Sequence, residues 1–174
     1  MFQLQAHLER QLVAPITFVL GQNLVAIEYA VVPGELPEAW ADDPSLCIGF
    51  GPVLHFSSER SLEFLSIESP AWHDHFTVRV SLEPLRASNS LLRVQASHAV
   101  WGRNAIGQVL TAASVHGWAA SPHVARLSFG STALVVANGT SAHLGETDDI
   151  LLATGPSAVF ATPTERFWVS GPGA

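Results

Sequence analysis

Lysine is missing from this 174-residue chain, and all eight of its basic residues are arginine. Without a lysine amine there is no Schiff-base chemistry and no phosphate-loop lysine. Fifteen acidic residues against those eight give a formal net charge of −7. A phosphate backbone is bound through a basic footprint, so nucleic acid is excluded as a partner. The same balance argues against docking on anionic lipid. The single cysteine, Cys47, permits no internal disulfide, and an oxidising compartment is not indicated. Between Leu46 and Ile48 it reads as a small buried hydrophobe. Charged residues are only 13% and hydrophobic residues 48%, which excludes a disordered chain. No apolar run approaches the roughly 18 residues that span a bilayer. Residues Met1 to Arg10 carry no basic region followed by an apolar run, so no signal peptide is expected. These absences predict a soluble cytoplasmic protein without membrane insertion.

Long helices are also missing from the pattern. Pro33-Gly34, Pro37, Gly51-Pro52, Pro70, Pro84, Gly155-Pro156 and Pro163 punctuate the chain closely. Only Glu35 to Asp43 reads as a short helix, with Pro37 suited to its first turn, and a short or irregular turn fits the segment equally well. The period that is present is two. Phe2, Leu4, Ala6 and Leu8 alternate with polar residues, as do Phe76, Val78, Val80 and Leu82, and again Leu92, Val94 and Ala96. Such alternation buries one face and wets the other, the mark of an antiparallel strand. Ala133 to Ala137 is a continuous apolar run, and Asn138-Gly139 after it signals a tight turn. The expected class is all-β, with a flexible tail at 171–174.

A weak internal repeat accompanies the strands. Asn23 to Val32, Leu91 to Trp101 and Asp149 to Phe160 each close on an Ala-Val pair, at 30–31, 99–100 and 158–159. This spacing predicts one compact unit, 1–174, built of three β repeats at approximately 1–60, 61–120 and 121–170, each too small to hold a core alone.

Val124 to Val169 carries a further pattern. Leu127-Ser128-Phe129-Gly130-Ser131-Thr132-Ala133-Leu134-Val135-Val136-Ala137-Asn138-Gly139 gives a strand, a glycine, a threonine, an apolar strand and a turn glycine. Gly145 to Phe160 then gives an acidic turn, an apolar strand, a glycine and an Ala-Val-aromatic strand. This resembles the altered-inheritance-of-mitochondria family, which has many uncharacterised bacterial members. Leu91 to Trp101 is similar to that family's middle repeat, and Gly21 to Val32 to its first. The resemblance implies a β-sandwich or short double-stranded β-helix units, a fold shared with the tryptophan-RNA-binding attenuator protein, and trimeric or ring assembly. It implies no catalytic residues and no cofactor.

Trp72-His73-Asp74-His75-Phe76 is the densest group of potential metal ligands. On a strand, His73 and His75 share a face and present two imidazoles suited to a transition metal, with Asp74 between them. A third ligand would come from His55, His98, His116, His123 or His143. The competing reading is a turn after Pro70 with these side chains solvated. A metallo-cupin would add a glutamate a few residues on, whereas Glu83 follows His75 by eight positions. His98 falls in phase with Leu92, Val94 and Ala96 and reads as a core histidine, while His116 and His123 read as loop residues. No Gly-x-Ser-x-Gly elbow and no dinucleotide fingerprint occurs. Asp148-Asp149 reads as a turn opening a strand.

The function expected is that of a non-enzymatic oligomeric assembly or binding protein, a homotrimer or ring whose small-molecule ligand is left open. The alternative is a cupin-like metal-dependent enzyme built on His73 and His75.

Overall fold

The computed structural model describes residues 12–31, 46–49, 51–68, 76–82, 92–95, 103–118, 121–140, 143–144, 150–154 and 166–170. These form two antiparallel sheets and one short helix, so the all-β expectation holds. The strands are β1 (Leu24–Val31), β2 (Leu46–Gly49), β3 (Pro52–Phe56), β4 (Ser61–Glu68), β5 (Phe76–Ser81) and β6 (Leu92–Gln95). They continue as β7 (Leu110–Trp118), β8 (Ser121–Phe129), β9 (Thr132–Thr140), β10 (His143–Leu144), β11 (Ile150–Thr154) and β12 (Arg166–Ser170). The five-stranded sheet has the order β5-β4-β3-β1-β6. The larger sheet runs β12-β7-β8-β9-β11-β2, and β10 also pairs with β9.

The alternating segments become strands in the expected phase. Val78 and Val80 of β5 are buried while Arg79 between them is exposed. In the five-stranded sheet Ile27 and Tyr29, Leu54 and Phe56, Leu62 and Phe64 point the same way as Val78 and Val80. They enter one buried cluster with Leu110, Ala113 and Val115 of β7, Ala125, Leu127 and Phe129 of β8, and Leu134 and Val136 of β9. Each large side chain withdrawn from water there contributes roughly 1.5–3 kcal/mol. The apolar run of β9 is buried on both faces, since Ala133, Val135 and Ala137 are covered as well as Leu134 and Val136. A strand covered on both sides reads as continuous apolar sequence rather than alternation.

Helix α1 (Ala14–Thr17) lies outside any segment that the sequence marks as helical. Pro15 sits in its first turn, and Leu12, Ile16 and Val19 carry it into the shared core. Glu35 to Asp43, the helix expected from sequence, lies outside the described residues.

One turn differs from the sequence reading. Asn138-Gly139 is not a turn but the continuation of β9, with Gly139 and Thr140 paired to Leu144 and His143. The tight hairpin instead joins β8 to β9 through Gly130-Ser131, bracketed by the Phe129–Thr132 pair, and Gly130 takes φ +56°. Asn138 is fully buried, and its Nδ2 donates to Ser66 Oγ of β4 at 2.8 Å, tying one sheet to the other. That partner gives the amide a reason to stay in the strand.

The sheets are also stitched by backbone. Leu24 N–H donates to Gln108 O at 2.9 Å, Gly107 N–H to Leu24 O at 2.7 Å and Leu110 N–H to Gln22 O at 2.9 Å. Gly51, just before β3, is a close approach. It takes φ +138°, and a Cβ there would lie 1.8 Å from the Phe64 carbonyl oxygen. Only glycine fits that position.

Of the three repeat segments, the first supplies β1 and the second β6, hydrogen-bonded neighbours in the five-stranded sheet, while the third supplies β11 in the other sheet. The Ala-Val pairs at 99–100 and 158–159 lie outside the described residues, as do Phe2 to Leu8.

Candidate functional site

The side chains that point away from the core on the five-stranded sheet form a polar array. Strand pairing dictates who meets whom. Ser61 of β4 is the register partner of His55 of β3, and Glu28 of β1 is the partner of Gln95 of β6. Because successive side chains alternate, all four share the outer face with Glu63. His55 Nδ1 lies 2.7 Å from Ser61 Oγ. Its Nε2 lies 3.0 Å from Glu28 Oε2. That carboxylate sits beside the buried Nε2 but off the ring's hydrogen-bond direction, so the contact is ionic proximity rather than an aligned bond. Gln95 Nε2 donates to Glu28 Oε1 at 2.7 Å and fixes the other carboxylate oxygen.

A second pair crosses the same face. Arg93 Nη2 donates to Glu63 Oε1 at 3.2 Å. Arg93 is on β6 and Glu63 on β4, so this contact spans the two intervening strands β1 and β3. The Glu63 side chain is only 4% exposed and that of Arg93 22%. A carboxylate so well covered is kept in place by a cation and by hydrogen bonds. Thr77 and Val53 on this face are buried too, so the array is a partly covered network rather than a wet surface.

The tautomer of His55 sets the proton order of the array. Glu28 only accepts, and its charge beside Nε2 favours hydrogen on that nitrogen. In that tautomer the Nδ1 lone pair faces the Ser61 hydroxyl.

The metal candidates His73, Asp74 and His75 lie outside the described residues, as do His98 and Asp148-Asp149. Among the described residues no three His, Cys, Asp or Glu side chains gather as a metal site. His55, named from sequence only as a possible third ligand, is engaged with Ser61 and Glu28. His116 and His123, expected in loops, stand in β7 and β8. His116 is buried, with Nε2 3.0 Å from Ser114 Oγ. His143 is in β10. Glu28, Ser61 and Gln95 are far apart in the chain and form no dense ligand cluster in the sequence. The usable signal was parity: each falls on the outward phase of its strand, Ser61 with Glu63 on β4 and Gln95 with Arg93 on β6.

Compared with protein-family models, with curated proteins and with solved structures, the chain matches none of them. Among the described residues, no helix is long and apolar enough to cross a membrane.

Proposed function

We propose that this chain is a self-associating assembly or binding protein, a trimer or closed ring of β-sandwich units. In this reading the two sheets are the leaves of the sandwich, and the three-unit origin rests on the sequence repeat. One observation carries the proposal. Among the described residues the strands that end each sheet, β5 and β6 in one and β12 and β2 in the other, pair on one side only. An open edge offers a row of unpaired backbone groups that proteins cover, charge or pair. A chain without lysine lacks the commonest edge guard, and pairing with a second copy answers the same need. Closed symmetry then stops the pairing from running on into fibres. Exposed Phe18, Val25 and Val109 add apolar surface that association would cover. The resemblance to the altered-inheritance-of-mitochondria family points the same way.

Light scattering coupled to size exclusion at micromolar concentration tests this. The expected mass is a small-integer multiple of 18.6 kDa. A mass of 18.6 kDa held across a dilution series refutes the proposal.

A further inference from the structure

We propose that Ser61 is an activated serine that accepts an acyl group from an activated carboxylic ester. This role is independent of self-association and rests on the outer-face array alone. A serine hydroxyl is a weak nucleophile at neutral pH and needs an adjacent base, itself held by a third group. Here the serine and the base are in hydrogen-bond contact, and a carboxylate lies beside the base's far nitrogen. The Ser61 Oγ to His55 Nδ1 distance of 2.7 Å is within proton-transfer reach. The Glu28 carboxylate, 3.0 Å from Nε2, holds the tautomer that leaves Nδ1 free to take a proton. Gln95, 2.7 Å from the other oxygen of Glu28, anchors that carboxylate. The ring nitrogens exchange their usual duties, with the acid on Nε2 and the serine on Nδ1, but the sequence of donor and acceptor is that of a nucleophile, a base and an orienting acid.

The step balances without any co-reactant. Ser61 Oγ bonds to the acyl carbon, and the bond from that carbon to the leaving alcohol's oxygen breaks. The Ser61 proton passes to His55 Nδ1 and then to the departing alkoxide. His55 acts directly on the reacting hydroxyl, whereas Glu28 and Gln95 are positioning residues. Ser61 is 9% exposed and the His55 side chain 29%, so a small ester is the substrate class that the position admits.

The test is acetylation of the folded full chain by p-nitrophenyl acetate, read by mass spectrometry. No lysine competes for the acyl group, and cleavage after Arg60 and Arg79 releases Ser61 within the peptide 61–79. The reference is Ser58, exposed in the neighbouring turn. Burial alone makes Ser61 the slower of the two; activation makes it at least tenfold faster. Ser61 labelling at or below that of Ser58 in the wild type overturns the proposal, whatever the variants do. In His55→Gln the Ser61 rate should fall at least tenfold. A wild-type rate in that variant overturns the proposal as well. For Glu28 the expected order is wild type, then Glu28→Gln, whose amide oxygen keeps a partial negative charge beside Nε2, then Glu28→Ala. Equal rates in all three refute its positioning role.

Discussion

Replacing Gly51 with alanine separates two costs that usually arrive together. The first is conformational: φ at Gly51 is +138°, a backbone region that L side chains rarely adopt. The second is steric. The new Cβ would sit 1.8 Å from the Phe64 carbonyl oxygen, a backbone atom of β4 that cannot swing aside. Ordinary contact at such a point begins near 3.4 Å. The edges of β3 and β4 must therefore separate by more than an ångström, which stretches adjacent ladder bonds past useful length. Strain of about 1–3 kcal/mol plus one or two weakened hydrogen bonds of about 1 kcal/mol each gives a loss of about 2–5 kcal/mol. For a chain of this size that lowers Tm by about 4–20 °C. Gly107 is the matched control, with φ +80° and no atom within 4 Å of its would-be Cβ. Gly107→Ala bears only the conformational part, about 1–2 kcal/mol. Urea and thermal unfolding of both variants, followed by circular dichroism, give the comparison. If Gly51→Ala is no more destabilising than Gly107→Ala, the close approach of β3 to β4 is not as argued.

Arg93→Ala removes the cation that reaches across β1 and β3 to Glu63. The expected loss is about 2–4 kcal/mol, less than for a fully buried pair because Arg93 keeps 22% of its side-chain exposure. Adding Glu63→Gln should recover part of that loss, and a double-mutant cycle that comes out additive contradicts the coupling. Asn138→Ala should cost about 1–3 kcal/mol by stripping Ser66 of its partner in the opposite sheet. An unfolding midpoint unchanged from wild type would show that this link contributes nothing.

The strands that were legible in sequence are those whose environment is one-sided. β5 shows its alternation because Arg79 faces solvent while Val78 and Val80 face the core. The central part of β9 was legible for the opposite reason, its uniform apolarity matching cover on both faces. Its end was misread because Asn-Gly is a turn signal only when nothing else satisfies the asparagine, and Ser66 does so from 72 positions away. Local rules carry no information about such a partner. His116 misled for a similar reason: a histidine beside glycine suggests a loop, yet Ser114 two residues away on the same strand face holds its ring. The outer-face array was the least legible part. Its members lie on β1, β3, β4 and β6, and only the order β4-β3-β1-β6 makes them neighbours. The sequence supplied the residue types, but adjacency came from strand order.

The path of β2 has a consequence for how the chain is made. Between β1 and β3, which pair with each other in the five-stranded sheet, the chain contributes β2 to the other sheet, where its partner is β11. Leu46 meets Ala153 and Gly49 meets Ile150, so the partner emerges roughly a hundred residues later. At a synthesis rate of about 5–20 residues per second, β2 waits on the order of 5–20 s on the ribosome before it can pair. β1, β3, β4 and β5 can join during that interval, with separations of a few tens of residues at most. The larger sheet closes at this edge only when β11 arrives. Nascent chains halted before residue 150 therefore hold Leu46-Cys47-Ile48-Gly49 without its β11 partner.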